Sequence, residues 1–161
     1  MSTDSKKELI MKKLETVLAS IIKGNSPDGI ADHKYSSTVS YINRQYQQVT
    51  PDDIESKPKP WLILNNEGEH PKPIMSRNFE STIYFQIVGF VEEVEGGTNL
   101  DSLMNALQKD ILLAILNDVS LGGICGYIVP TDIQTVKEMI FPFGGFSMNF
   151  ECVYTFNGLN F

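Results

Sequence analysis

The sequence has few of the side chains that enzymes commonly use for catalysis near neutral pH. Histidine occurs only as His33 and His70, and cysteine only as Cys125 and Cys152. Both histidines lie in hydrophilic, loop-like stretches, which is typical of surface residues. The cysteines lack the spacing of metal ligands, so we expect reduced thiols in a protein made in the cytoplasm. The sequence therefore disfavours histidine catalysis, a disulfide framework and a cysteine metal site.

Motifs for catalysis and phosphate binding are missing as well. The glycine-rich stretches at residues 122–126 and 144–145 lack the Gly-Lys-Ser/Thr ending of a P-loop, so we interpret both as turns. The sequence has no nucleophile-elbow motif and no EF-hand spacing. A hydrolase therefore ranks below a structural or binding protein.

Long apolar runs and an excess of basic residues are also missing. No run approaches the roughly 18 apolar residues of a membrane-spanning helix, and the polar N-terminus has no signal-peptide centre, so we expect no membrane association. The chain has 13 basic and 20 acidic residues, a net charge of -7. Tight nucleic-acid binding is disfavoured, because it depends on basic side chains that neutralise phosphates.

What the sequence does contain is typical of one folded domain. Its 161 residues are 42% hydrophobic and 20% charged. A chain of this length buries about two-thirds of its unfolded surface on folding. We therefore expect a single domain over residues 1–161, without repeats or linkers.

Residues 79–118 form the unit around which we expect the chain to be organised. A strand at residues 81–91 has large apolar groups on both faces, with Tyr84 and Phe90 on the second face. Because a half-buried strand would have polar residues at every second position, we expect this strand to be covered on both faces. Glu92, Glu93 and Glu95 follow it in an acidic turn.

A helix is predicted to follow the acidic turn. Thr98 and Asp101 have the spacing of an acidic capping box at its start. One helical face is apolar enough to lie on a sheet. That face consists of Leu100, Leu103, Met104, Leu107, Ile111, Ala114 and Ile115. Leu112, Leu113 and Leu116 point the other way, so we expect a loop or a neighbouring subunit to bury them.

The remaining patterns complete the predicted fold. Periodicity predicts a helix over residues 5–23, strands over 34–49 (including Tyr46), 61–64, 127–136 and 146–155, and loops over 50–60 and 65–78. Pro130 is predicted to break the strand over residues 127–136. Together these elements indicate an α+β domain, in which a mostly antiparallel sheet is flanked by two main helices and long loops.

The order of these elements resembles the tail terminator, or tail-completion, proteins of long-tailed bacteriophages. The most recognisable pieces are Leu103-x3-Leu107-x2-Asp110-Ile111 and Phe150-Glu151-x2-Tyr154. Further similar features are the N-terminal helix, the strand Trp61-Leu62-Ile63-Leu64, Glu69 in a loop, and the step Pro130-Thr131-Asp132. The loops at residues 50–60 and 65–78 are longer than in compact members of the family.

The resemblance implies a structural protein of the virion tail and not an enzyme, with no cofactor. The implied form is a hexameric ring that caps the tube built by the tail tube protein and stops further polymerisation of that tube. The other side of the ring would dock to the head-completion or neck protein. DNA would pass through the central channel of the ring without specific binding. Our hypothesis places subunit contacts at Tyr84, Phe90, Leu112, Leu113 and Leu116. A second hypothesis assigns a negatively charged channel to Glu92, Glu93 and Glu95.

Two other interpretations stay open at the level of sequence. A neck or head-completion connector would occupy the same junction between head and tail. A non-viral ligand-binding α+β module would use the aromatic sheet face as a pocket. The same aromatic residues are equally compatible with the double-layered core of a monomer.

Overall fold

A computed structural model describes residues 4–44, 48–136 and 139–159. Within these residues the helices and strands form one α+β unit. The helices are α1 (Lys6–Ala19), α2 (Pro51–Ser56) and α3 (Leu100–Leu116). The strands are β1 (Tyr41–Asn43), β2 (Trp61–Met75), β3 (Asn78–Glu92), β4 (Tyr127–Val136) and β5 (Phe143–Asn157).

The strands form a single sheet in the order β1-β2-β3-β5-β4. β1 is parallel to β2, whereas all other neighbours are antiparallel. β3 is the central strand, and it pairs with β5 from Asn78 opposite Asn157 to Glu92 opposite Phe143. The predicted α+β class with a mostly antiparallel sheet is confirmed. The two main helices, α1 and α3, cover one side of the sheet, which we call the inner face.

Alternating side chains of β3 and β5 build the inner face, as the sequence pattern predicts. Phe85 and Phe150 stack there with ring centroids 5.0 Å apart. The core beneath the helices includes Ile10, Leu14, Leu18, Leu62, Leu64, Ile83, Phe85, Ile87, Leu107, Ile111, Ile115, Phe146, Met148, Phe150, Cys152 and Tyr154. Hydrophobic stabilisation is therefore concentrated between the two helices and this face.

α1 begins where the sequence predicts, next to residue 5. The side chain of Ser5 accepts a hydrogen bond from the backbone N–H of Glu8 at 3.1 Å. This bond satisfies one of the amide donors that the first turn of a helix leaves free. The helix ends at Ala19, earlier than the predicted end at residue 23.

The start of α3 differs from its sequence signal. Asn99 is the N-cap, and its side-chain oxygen accepts a hydrogen bond from the N–H of Ser102 at 2.9 Å. The predicted capping box of Thr98 and Asp101 is therefore wrong. Asparagine caps a helix at least as well as threonine, so the better cap lies one residue later.

The predicted strand over residues 34–49 is wrong for most of the described part of this range, where Tyr41–Asn43 alone form a strand. The backbone N–H groups of Ser36 and Ser37 donate to the carboxylate of Asp110 on α3. These donors are consequently used by a side chain and not by a neighbouring strand. The part of this prediction that includes Tyr46 lies outside the described residues.

The predicted loop over residues 50–60 contains the short helix α2. Thr50 and Asp53 form a reciprocal capping box, with the side chain of Thr50 bonded to the N–H of Asp53 and the side chain of Asp53 bonded to the N–H of Thr50. Pro51 occupies the first turn, where a missing N–H costs nothing. The same residues that suggested a loop are thus helix-start signals.

The predicted loop over residues 65–78 is also wrong, since β2 continues to Met75 and forms a hairpin with β3. Among the residues that the structure describes, β1 pairs with β2 at Trp61–Ile63 and nothing pairs with the same edge of β2 farther along. Pro71 and Pro73 are tolerated there, because an edge strand need not donate every N–H. Glu69, expected in a loop, therefore lies within a strand.

The C-terminal hairpin agrees with its sequence patterns. β5 carries the predicted alternation from Phe146 to Tyr154. β4 continues through Pro130 with a shift in register between Pro130 and Asp132, so the predicted break is a bulge and not an end.

Candidate functional site

The described residues cover the side of the sheet opposite α1 and α3, which we call the outer face, at one end. There Trp61, Ile63 and Phe90 form a second buried cluster, with partly buried Ile54 of α2 packed against it. The rings of Trp61 and Phe90 lie 5.0 Å apart, and the indole N–H of Trp61 donates to Asn43 at 2.7 Å. Among the described residues, the expected second cover of β3 thus exists within the chain, but only at this end.

This cluster shows that the prediction of Phe90 as a subunit contact is wrong. The side chain is 4% exposed, because α2 and Trp61 enclose it. Phe90 therefore belongs to the core of its own chain and offers no surface to a neighbouring subunit.

Tyr84 lies farther along the outer face and remains half-buried. Its ring meets His70 edge-on, with centroids 5.3 Å apart. On the other flank, Tyr127 and Val129 of β4 are 49% and 39% exposed. This part of the outer face therefore presents aromatic and aliphatic groups at the surface of the single chain.

A polar row crosses the middle of the outer face. The register aligns Asn65, Gln86, Asn149 and Asp132 on four neighbouring strands. The amide of Gln86 donates to the side chain of Asn149 at 3.2 Å. The side-chain oxygen of Asn65 is buried and has no hydrogen-bond partner in the described part of the chain. The outer face thus combines exposed apolar groups with fixed hydrogen-bonding groups, as interfaces do.

The second predicted contact surface lies on α3. Leu112 and Leu113 are half-buried, and Leu116 is 43% exposed. They line a groove of about 450 Å³ together with Asp28, His33, Lys109 and Asn117. The segment before β1 reaches this side of α3 without closing over the leucines, so they remain accessible in the single chain.

A hydrogen-bonded pair of side chains lies at the rim of this α3 groove. His33 Nδ1 and Asp28 Oδ2 are 2.6 Å apart. The hydrogen bond from His33, followed by that from the N–H of Ile30, lowers the pKa of Asp28 to about 2. His33 is a surface residue, as predicted, and its partner explains its position without a catalytic role.

Sequence reasoning missed the role of Asp110. The residue is fully buried in α3, yet its carboxylate accepts hydrogen bonds from the N–H of Ser36 at 3.0 Å and of Ser37 at 2.7 Å. A buried carboxylate requires such partners. The available signal in the sequence was an aspartate inside the apolar stripe of a helix. Asp110 fixes the segment before β1 to α3.

Glu69 is the centre of a second buried polar cluster. Ser81 donates to its carboxylate at 2.6 Å, Tyr154 at 2.7 Å and Lys7 at 3.2 Å. Burial, the largest influence, raises the pKa of Glu69, but these three hydrogen bonds outweigh it and hold the pKa below its usual value. The cluster joins α1 to β2, β3 and β5, so its evident role is to lock the helix onto the sheet.

The acidic turn follows β3 at the same end as α2. Glu92 and Glu95 are exposed and Glu93 is half-buried. The turn is held by hydrogen bonds from the N–H of Glu93 to Pro142 and from the N–H of Gly97 to Val94, each 2.8 Å long. Its carboxylates therefore lie at the surface on a well-defined turn, where they contribute negative potential.

The remaining sequence candidates are the two cysteines and the possible metal ligands. Cys125 and Cys152 are free and buried, and the Cys125 thiol, together with burial, raises the pKa of Cys152. Within the described residues, histidine, cysteine and acidic side chains nowhere gather in threes that could hold a metal ion. None of the described helices combines the length and apolar character needed to cross a membrane.

Comparison with protein-family models and with curated proteins finds no match to this chain.

Proposed function

We propose that this chain is a structural ring protein of a bacteriophage tail. In this role it caps the completed tail tube, stops further polymerisation and presents its other side to the head-completion or neck protein. Its partners are further copies of itself and these two proteins, and its location is the junction of head and tail in the virion.

The observation that carries the proposal is the pair of unlike apolar surfaces on opposite sides of the chain. Leu112, Leu113 and Leu116 line the α3 groove on the helical side. Tyr84 and Tyr127 lie on the outer face of the sheet. In a ring with head-to-tail contacts each copy needs two different surfaces, one for each neighbouring copy, whereas a monomer gains nothing from leaving both open.

The element order supports the same proposal. The chain runs through helix, strand, two long strands, helix and two strands, with α2 added before β2. This is the order on which the resemblance to tail terminators rests. The hairpin of β2 and β3 and the helix α2 occupy the stretches that are longer than in compact members of that family.

No catalytic role belongs to this proposal. The carboxylates of Asp110 and Glu69, which are withdrawn from water, each hold hydrogen bonds that join separate elements. Carboxylates engaged in this way hold separate elements of the fold together, and we propose no catalytic step for them.

The acidic turn supplies the electrostatic part of the proposal. Glu92, Glu93 and Glu95 would face the channel and repel the phosphates of the passing DNA. Replacing all three with glutamine should slow DNA ejection, because DNA meets less repulsion and adheres more to the channel wall, and should make ejection less dependent on salt, because fewer charges remain to be screened. Unchanged ejection kinetics in phage particles that carry the triple variant would contradict this role.

Two measurements test the proposal as a whole. Native mass spectrometry and negative-stain images should show a closed ring with a central hole, either free or at the tips of tail tubes. Purified protein added to growing tubes should arrest their elongation. A chain that remains monomeric at tube tips and leaves elongation unchanged would overturn the proposal.

A further inference from the structure

Exposed apolar groups mark both ends of the sheet, and their surroundings differ in charge. We call the turn of the β2–β3 hairpin, residues 72–77, the hairpin tip. We call the hollow between α2 and the residues before β5 the end groove. Both features expose large apolar side chains, and the charges around them are opposite in sign.

The hairpin tip is an apolar projection with basic flanks. Ile74 is 58% and Met75 is 70% exposed. Lys72 and Arg77 lie on either side of them, and both are exposed. Residues 70–78 contain no acidic side chain. The tip therefore presents two large apolar side chains under a local positive charge.

The backbone of the tip is fixed in this form. Met75 pairs with Asn78 across the tight turn, and Ser76 has a positive φ of 53°. The shift in register between Pro73 and Met75 leaves Ile74 as the extra residue of a bulge, which is a common way to redirect a side chain at a sheet edge. A preformed projection loses little conformational entropy when it binds.

The end groove is a hollow of about 310 Å³ between α2 and the segment leading into β5. Its lining is mainly apolar. The lining residues are Pro51, Ile54, Glu55, Met139, Ile140, Phe141 and Phe143. Ile140 and Phe141 are 82% and 70% exposed, although they are large and apolar. Such a groove is suited to receive apolar side chains.

Acidic residues surround the end groove. Residues 51–60 and 92–97 together contain six acidic and two basic side chains. Glu55 lines the groove itself, and Asp52 is exposed in the same short helix. Of the two basic residues, Lys59 lies with its Nζ 4.6 Å from the centre of the Phe143 ring. The end groove therefore favours an apolar group that carries positive charge, which is the chemistry of the hairpin tip.

The geometry of the sheet determines where that partner comes from. The tip adjoins the start of β3 at Asn78, whereas the groove adjoins its end, where Glu92 pairs with Phe143. β3 has 15 residues, so the two features lie about 45 Å apart at about 3.3 Å per residue. A chain cannot place its own tip in its own groove, but a second copy can.

We propose that the hairpin tip of one copy inserts into the end groove of the next copy. This contact is head-to-tail, so each copy contributes one tip and one groove, and repetition gives a closed ring when the rotation between copies permits closure. The inference rests on the proposed function, because it names the contact through which the ring would close.

The contact between the hairpin tip and the end groove is small, so one contact alone would not hold two copies together. Two tip side chains in one groove bury less than the roughly 1,200 Å² of a stable interface. A single contact is consequently weak, and stable association requires several contacts at once, in a closed ring or on a tube tip. This account fits a chain that is monomeric when dilute and closes on its target.

Site-directed cross-linking tests the contact on the full chain. Met75→Cys and Ile140→Cys variants are prepared separately, mixed at high concentration or with tube tips, and treated with a short bismaleimide. The expected product is a dimer that contains one copy of each variant, and a chain carrying both substitutions should give a ladder of oligomers. Both sites are exposed, so neither substitution should disturb folding.

Matched control variants distinguish a specific contact from random cross-linking. Ile22→Cys, an exposed apolar position elsewhere, should give no dimer with Ile140→Cys. The unsubstituted protein should give no covalent dimer, because Cys125 and Cys152 are buried. Lys72→Glu combined with Arg77→Glu should weaken association by up to about thirtyfold, since each exposed ion pair contributes up to about 1 kcal/mol. Adding Glu55→Lys should restore part of that loss.

The outcomes separate this contact from the proposed function. Closed rings without a cross-link between Met75→Cys and Ile140→Cys would overturn the contact and leave the ring role standing. A specific cross-link without arrest of tube growth would support the contact and overturn the role at the tail. Equal cross-linking by the Ile22→Cys control would also overturn the contact.

Discussion

Removal of the Asp110 carboxylate is the sharpest test of how the segment before β1 is held. The carboxylate is fully buried and accepts hydrogen bonds from two backbone amides, those of Ser36 and Ser37. Bonds to a charged group contribute roughly 1.5–3 kcal/mol each, and water can partly replace the bond to exposed Ser36. Asp110→Ala should therefore lower the free energy of unfolding by about 2–4 kcal/mol. This is a large part of the roughly 5–15 kcal/mol of a typical domain.

Asp110→Asn should have an intermediate effect of about 1–2 kcal/mol. Its oxygen retains one acceptor, but its amide group would face backbone donors and cannot accept from them. The matched control is Asp101→Ala, an exposed aspartate of the same helix, which should change stability by less than about 1 kcal/mol.

Urea unfolding of the three variants measures these differences, and amide hydrogen exchange at Ser36 and Ser37 measures the local effect. Exchange at both amides should accelerate in Asp110→Ala and not in Asp101→Ala. Equal stability of these two variants, together with unchanged exchange, would refute the assignment of Asp110 as the anchor of this segment.

Two further predictions concern the Glu69 cluster and the start of α3. The pKa of Glu69 is held below its ordinary 4.5, so its stabilisation is complete above that pH and is lost as the pH falls through the folded pKa. The difference in unfolding free energy between wild type and Glu69→Gln should shrink on acidification below about pH 4.5, and a constant difference in urea titrations would contradict this. Asn99→Ala should cost about 1 kcal/mol, whereas Thr98→Ala should cost less than about 0.5 kcal/mol, because Asn99 is the N-cap. The reverse order of thermal midpoints would restore Thr98 as the cap.

The sequence was most informative where periodicity and burial coincide. α1, the central strand β3, the core face of α3 and the alternation of β5 all follow directly from apolar spacing. These elements pack on one another through one large core, so local pattern and tertiary burial agree.

The prediction failed where partners distant in sequence decide the structure. Pro71 and Pro73 indicated a loop, since nothing local reveals that β1 is too short to cover the edge of β2. The β-rich composition of residues 34–49 indicated a strand, but Asp110, more than seventy residues away, takes the backbone donors. Such competition is not visible in a local window.

The positions of the candidate contact residues depend partly on local patterns and partly on distant elements. Leu112, Leu113 and Leu116 were predicted to lie off the core stripe of α3. Leu116 is exposed, whereas Leu112 and Leu113 are half-buried and also pack against the main core. Their role in subunit contacts stays a prediction. Phe90 was assigned to the outer face with Tyr84, but α2 was not predicted, and α2 is what helps to enclose Phe90. The hairpin tip was hidden within a stretch interpreted as a loop.

The central claim is that this chain ends tail tubes by forming a ring on their tips. The most direct measurement is the length distribution of tail tubes grown with increasing amounts of the purified protein, with the tips imaged by negative staining. The account predicts that growth stops once each tip has received one ring, and that a ring with a central hole is visible there. Tubes that reach their usual length with bare tips, at any amount of added protein, would contradict it.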